Sequence, residues 1–267
     1  MSVLAPPAVD VARALFGGLS GRRRAVVEAT QDGVVAGAGF IDPALAPVDG
    51  GGWNVRFRDG QAVRAGDILV ELDGAATDLG IAEDYVLGPI GYASGVATRA
   101  KAFRDRAPPG LSVACGGWKK LPAPLKPLLR AGLAAASVLP RLVEGDFVYL
   151  SKNAVLLLGG VEPAIQAGIA VAHGPVALQV QTVTEALVAA EGGAGVIMVD
   201  TGRLEDVADV HRALTETGLR NRIRLAFGGG VTLDQLADAH SAGAQAVDVG
   251  RAILDAPLLD LRMRVIS

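Results

Sequence analysis

Cysteine, histidine, aromatic side chains and charge are all scarce in this chain. Of its 267 residues one is Cys and three are His, aromatics make up 4% and charged residues 20%. Cys115 alone cannot close an intrachain disulfide, which fits a reducing, cytoplasmic setting. His173, His211 and His240 share no regular spacing with each other or with Cys115, so a His/Cys metal centre is not expected. A formal net charge of −3 argues against a nucleic-acid surface. The one dense basic run, Arg22-Arg23-Arg24, reads as a solvated loop or an interface. Residues 121–143 are apolar but broken by Pro, Lys and Arg, so no membrane span is expected. The N-terminus has no basic segment followed by a long apolar core, so no signal peptide is expected either.

What the chain does have is 51% apolar residues and 35 glycines. That is ample for one barrel, or for a barrel plus a smaller domain. Residues 195–200 (Gly-Val-Ile-Met-Val-Asp), 227–231 (Phe-Gly-Gly-Gly-Val) and 246–251 (Ala-Val-Asp-Val-Gly-Arg) are short β-like runs ending in Gly or Asp. Helix-like segments at 203–217 and 233–242 separate them, which predicts parallel strands with crossover helices. In such sheets the chemistry sits where the strands end, which lines up Asp200, Gly228, Gly229, Gly230 and Gly250 on one rim. Glycines there let backbone N–H groups approach a phosphate, so a phosphorylated ligand is expected. Glycines that merely turn the chain are the plainer alternative.

Upstream the pattern is β-rich. Strands are expected at 25–29, 34–40, 53–57 and 68–72, with tight turns at Asp32-Gly33, Asp59-Gly60 and Asp73-Gly74. A helix from about residue 78 to 104, interrupted at Gly88-Pro89, follows. From residue 111 strands and helices alternate, and the alternating segment 258–265 reads as a strand returning to the N-terminal sheet. The expected domains are residues 1–105 with 256–267, and residues 106–255.

The order of motifs resembles the carboxylating nicotinate-nucleotide pyrophosphorylases, or quinolinate phosphoribosyltransferases, a family that includes the ModD-like proteins. The resemblance is carried by Glu71-Leu72-Asp73-Gly74 and by Ser94-Gly95-Val96-Ala97-Thr98, the most specific piece. Further matches are Lys119 and Pro122 in a Thr-Arg-Lys-Thr-Thr-Pro-like segment, Arg141 in a His-Arg pair, and residues 149–154 in an Ile-Lys-Asp-Asn-His-like block. Residues 178–182, Asp200, the loop 228–230 and Gly250 complete the set. The resemblance implies an α/β fold: an N-terminal α/β sandwich plus an open, irregular (β/α) barrel of the type II phosphoribosyltransferase kind. It implies sites at the interface of a homodimer or higher homo-oligomer. It also implies transfer of phosphoribosyl from phosphoribosyl pyrophosphate, with Mg²⁺, to a pyridine dicarboxylate that then loses CO₂.

The departures concern the dianionic substrate. Asp84, Trp118 and Pro140 stand where the family has Arg, Arg and His, and Ser151 and Ala154 replace a Lys and a His. Lys152 is offset by one, which on a strand points it to the opposite face. Trp118, with Tyr92 and Cys115, suits a flat neutral or cationic ring, or else forms ordinary core. Gln179 and Gln181 replace acids, which keeps hydrogen bonding to a sugar but removes negative charge.

The roles the resemblance implies are then as follows. Lys119, Gln179 and Asp200 are catalytic, Asp200 also holds Mg²⁺, and Asp84, Trp118, Arg141, Lys152 and Gln181 bind substrate. Gly228, Gly229, Gly230, Gly250 and Arg251 bind phosphate. Three readings stay open: a phosphoribosyltransferase with an aromatic nitrogen acceptor other than quinolinate, a non-catalytic or specialised ModD-like binder of a phosphosugar or nucleotide, and a true NAD-biosynthesis enzyme with a rearranged carboxylate site.

Overall fold

The computed structural model describes residues 7–41 and 52–266, without the side chains of residues 7–10 and Trp118. In chain order it contains α1 (Pro7–Phe16), β1 (Arg22–Ala29), β2 (Gly33–Val34), β3 (Gly52–Val55), β4 (Ala62–Val63), β5 (Ile68–Ala75), α2 (Ala76–Arg106) and β6 (Ser112–Ala114). Then follow α3 (Lys126–Ala135), β7 (Val148–Leu150), α4 (Lys152–Leu157), α5 (Val161–Val171), β8 (Val176–Val180), α6 (Val183–Glu191), β9 (Val196–Val199) and α7 (Leu204–Glu216). The chain ends with β10 (Arg224–Phe227), α8 (Leu236–Ser241), β11 (Ala246–Asp248), α9 (Arg251–Leu254) and β12 (Leu261–Ile266). Two compact units result: Met1–Ala100 with Ala123–Ala136 and Ala256–Ser267, and Lys101–Pro122 with Ser137–Asp255. Residues 123–136 therefore group with the first unit rather than with the strand–helix alternation around them.

The first unit is built on an antiparallel sheet of order β12-β1-β5-β3. The returning terminal strand is β12, paired to β1 from Arg24↔Ile266 to Ala29↔Leu261. Two expectations fail here for one reason. Asp73 and Gly74 are not a turn but lie inside β5, opposite Arg24 and Arg23, and β1 pairs with β5 and β12 rather than closing a hairpin at Asp32-Gly33. Non-local burial of Ala25, Val27 and Ala29 on β1 in one cluster with Leu69, Val70 and Leu72 on β5 outweighs local turn chemistry. The expected strand 34–40 shrinks to Gly33–Val34, followed by a 3₁₀ turn at Ala38–Phe40.

Helix α2 runs through Pro89 without a break. Leu79, Ala82, Val86, Ile90, Ala93, Ala97 and Ala100 are all buried at spacings of three or four. Burying such a stripe, at about 1.5–3 kcal/mol per large aliphatic side chain, offsets the roughly 3 kcal/mol that an interior proline costs. The Ser-Gly-Val-Ala-Thr signature sits on this helix and serves the fold. The fully buried Ser94 Oγ accepts the Ala36 N–H at 2.9 Å and donates to the Ala36 carbonyl at 3.2 Å. Thr98 Oγ1 accepts the Val34 N–H at 2.9 Å. A Cβ at Gly95 would lie 2.1 Å from the Pro257 carbonyl oxygen, so only glycine lets the returning chain pass.

The second unit is a six-stranded parallel sheet of order β6-β11-β10-β9-β8-β7, an open α/β barrel. Every residue of β8 and β9 is buried, as expected of parallel strands covered on both faces. The barrel interior is narrow: Ala114, Ala177, Val196, Met198, Ala226 and Ala246 form its core with Leu142. Period-two alternation then points Gln179 and Asp248 the same way as Ala177 and Ala246.

Candidate functional site

A cavity of about 570 Å³ lies within the second unit, over the carboxyl ends of these strands. Its floor carries Tyr149, Gln179, Asp200 and Asp248, from β7, β8, the end of β9 and β11. Its rim carries five exposed cations, Lys119, Lys120, Arg141, Lys152 and Arg251. Gly116, Gly117, Gly229, Gly230 and Gly250 supply backbone between them. The strand ends meet here because a parallel sheet directs every carboxyl terminus to one edge.

Each floor carboxylate shares its space with a glycine from a neighbouring strand end. A Cβ at Gly228 would lie 2.9 Å from Asp200 Oδ1, and one at Gly116 would lie 2.8 Å from Asp248 Oδ2. Asp200 Oδ2 accepts from Gln179 Nε2 at 2.8 Å, and Gln179 Oε1 accepts the Lys152 N–H at 3.0 Å. That chain fixes the amide: its nitrogen must face Asp200. Asp248 Oδ1 accepts the Gly116 N–H at 2.6 Å. Gly229 and Gly230 hold φ of +99° and +103°, which turns the loop after β10 along the cavity wall.

The electrostatics follow from this placement. Burial raises the Asp248 carboxyl above the usual range; the Gly116 N–H opposes this, the Asp200 charge adds to it, and Lys119 and Lys120 oppose it. Burial, with the charges of Asp248 and Asp200, likewise pushes the Tyr149 phenol up. The Cys115 thiol is driven to about 12, first by burial and then by Asp248, so it is protonated and inert behind the wall. Arg141 lies over the Phe147 ring at 4.7 Å from its centroid. Arg251 pairs with Asp255 at 2.9 Å on the rim.

The cavity brings together Lys119, Arg141, Lys152, Gln179, Asp200, Gly229, Gly230, Gly250 and Arg251. Lys152 does not point away: β7 stops at Leu150, Ser151 caps α4, and Lys152 opens that helix on the cavity side. Gly228 is buried beside Asp200 rather than in the wall. Gln181 stays outside, because β8 ends at Val180 and the Gln181 N–H donates to Glu185 Oε2 at 2.6 Å in the cap of α6. Asp84 is exposed on α2 in the first unit, and Tyr92 lies on the same helix. The side chain of Trp118 lies outside the described residues. Asp248, Tyr149 and Lys120 also line the cavity, and the sequence reading did not assign them to the site. For Asp248 a signal existed: Val-Asp-Val-Gly repeats the strand-end acid of Val-Asp at 199–200.

The donor set fits a shared Mg²⁺ rather than a protein cage. Among the described residues no three His, Cys, Asp or Glu side chains gather as ligands. A strand-end carboxylate such as Asp200, facing an open cavity, suits a Mg²⁺ that keeps water and substrate phosphates as its other ligands.

Comparison with known proteins fits this geometry. The profile of the quinolinate phosphoribosyl transferase C-terminal domain matches residues 96–264, and that of the N-terminal domain matches residues 10–94. The chain belongs to the quinolinate phosphoribosyl transferase family. Its relatives include a probable carboxylating nicotinate-nucleotide pyrophosphorylase of Archaeoglobus fulgidus, 24% identical over 91% of this chain and 94% of that protein. The human carboxylating nicotinate-nucleotide pyrophosphorylase is 25% identical over 93% of this chain and 84% of its own length. Among solved structures, NadC from Streptococcus pyogenes superposes with a TM-score of 0.80 at 22% identity, covering 96% of this chain and 91% of that one. The open α/β barrel with its N-terminal sandwich is thus the type II phosphoribosyltransferase fold. Among the described residues no helix is long and apolar enough to cross a membrane.

Proposed function

We propose that this protein transfers phosphoribosyl from phosphoribosyl pyrophosphate to an aromatic nitrogen heterocycle less negative than quinolinate. The observation that carries the reading is the zoning of one cavity, with five cations at its rim and two carboxylates on its floor. Phosphates suit the rim and the glycine loops, while ribose hydroxyls suit Asp200 and Gln179. The two carboxylates leave the wall a net charge of +3. A phosphate monoester carries about −2 and a diphosphate about −3, so with one Mg²⁺ the donor brings about −3 and satisfies the wall alone. A dicarboxylate would then add charge beside Asp200 and Asp248 with no cation from this wall left to meet it.

In the reaction this implies, Lys119, Lys120, Lys152 and Arg251 would hold the donor's phosphates and Arg141 would guard the mouth. Asp200 would hold Mg²⁺, which would lower the charge that builds on the departing diphosphate. Asp200 faces the sugar, where positive charge develops as the bond to the diphosphate lengthens. Gln179 holds Asp200 in place without adding charge. Bringing ring and sugar into line is the remaining contribution.

Two further parts of the reading are a cytoplasmic setting and a homodimer. Leu156 and Leu157 on α4 are 77% and 87% exposed, apolar surface of the kind a second copy covers. Sedimentation velocity reads the assembly state.

The deciding assay supplies phosphoribosyl pyrophosphate, Mg²⁺ and quinolinate, and follows CO₂ and nicotinate mononucleotide. The reading expects neither product, with diphosphate release appearing only on adding a less acidic ring. Quinolinate turnover would overturn it in favour of the NAD-biosynthesis enzyme. Tight donor binding with no turnover of any ring would favour the ModD-like binder.

A further inference from the structure

One group on the cavity floor has no part in holding phosphates or sugar. Asp248 ends β11 and faces the interior, with Oδ1 accepting the Gly116 N–H at 2.6 Å. Among the described residues no side chain donates to it. Oδ2 is therefore left to the cavity, and residue 116 must stay without a side chain, since a Cβ there would sit 2.8 Å from that oxygen. Lys119 and Lys120 act on Asp248 through their charge without forming an ion pair with it. A half-buried carboxylate on the cavity floor, served by one backbone N–H, keeps hydrogen-bonding capacity for whatever enters the cavity.

We propose that Asp248 is a specificity-determining residue of the acceptor site, selecting a ring whose substituent offers an N–H donor to Oδ2. This rests on the transferase reading above and names the acceptor class more narrowly: an amide- or amino-bearing nitrogen heterocycle. A ring carboxylate in that position would place two like charges within a few ångströms, whereas an amide or amino N–H completes the hydrogen bonding of Asp248. The same placement suits the transfer. The lone pair of the ring nitrogen forms the bond to the anomeric carbon. The bond from that carbon to the diphosphate oxygen breaks, and its electron pair leaves with the diphosphate. The ring is left positively charged, facing Asp248 and Asp200, and no proton or co-reactant is required.

The test is a calorimetric comparison of nicotinamide with nicotinate, rings of one shape that differ in donor and charge, on the full chain without phosphoribosyl pyrophosphate. Wild type is expected to bind nicotinamide at least tenfold more tightly. Asp248→Asn, which keeps an oxygen for the Gly116 N–H, is expected to bring the ratio to about one or below. Asp248→Ser, smaller and uncharged, should do the same, and thermal melts check that both variants fold. Equal binding of the two rings by wild type, binding of neither, or an unchanged ratio in folded variants overturns the proposal. Donor affinity is measured separately. If the ratio behaves as expected but phosphoribosyl pyrophosphate does not bind, the role of Asp248 as a selector of N–H donors stands and the transferase reading falls. If the donor binds and the ratio is absent, the reverse holds.

Discussion

The two sheets of this chain treat their carboxylates in opposite ways. In the antiparallel sheet each carboxylate on its strands meets an arginine: Asp73 pairs with Arg22 at 3.0 Å, Glu71 with Arg56 at 2.6 Å, and the buried Glu28 with Arg262 and, at 3.3 Å, Arg264. On α2 of the same unit the hydroxyls of Ser94 and Thr98 are used up on backbone. In the parallel sheet Asp200 is held by a neutral amide and Asp248 by one backbone N–H. Neither forms an ion pair among the described residues. Charge that is paired off supports a fold, and charge left unpaired in a cavity is held for a ligand.

The sharpest way to break this comparison is Asp200→Ala. On this account it lowers diphosphate release by about 100-fold or more, as loss of one preorganised electrostatic group does, while the melting temperature changes little. A large stability loss with activity intact would place Asp200 with the structural carboxylates. Next in size is Gly95→Ala. Its Cβ would meet the Pro257 carbonyl at 2.1 Å, so chemical denaturation should report a loss of about 3 kcal/mol.

How much of this was legible in the sequence follows the same division. That Asp200, Gly229 and Gly230 lie at the cavity could be read because a parallel strand ends abruptly and its terminal residue has one place to go. The core stripe of α2 could be read from its spacing, but not its continuity through Pro89, which depends on what the helix packs against. Asp73-Gly74 misled because Asp-Gly reports local turn preference, and β1 buries its apolar run on β5 instead. Lys152 and Gln181 were misplaced by a single residue each. A strand boundary decides which face a side chain takes, and caps at Ser151 and Thr182 end both strands early. Asp248 was visible only as a second strand-end acid, and its setting depends on Gly116, distant in sequence and brought beside it through β6.

Two smaller effects sharpen the picture of the first unit. Ser94→Ala leaves the buried Ala36 N–H without its acceptor and should cost about 1–3 kcal/mol in denaturant titrations. Glu28→Gln should have the smallest effect, and one that depends on pH. Hydrogen bonding from Arg262, then from Arg264, holds the Glu28 carboxyl below its ordinary value against the cost of burial. A depressed folded value means that the stabilisation is present above the ordinary carboxylate range and is lost as pH falls through the folded value. The melting temperatures of wild type and variant should therefore differ at neutral pH and converge in acid.

The most direct test of the central claim applies the same measurement to the opposite kind of carboxylate. Burial raises Asp248, so ionising it opposes folding, and the folded protein loses stability as pH climbs from the ordinary carboxylate value through the raised one. Melting temperatures of wild type and Asp248→Asn, followed from acid to neutral pH, should coincide at the acid end. At neutral pH the variant should melt higher, because the site gives up stability for an unpaired charge. A variant that melts lower at neutral pH would mean that Asp248 is paired and structural, and the division between the two units would fail.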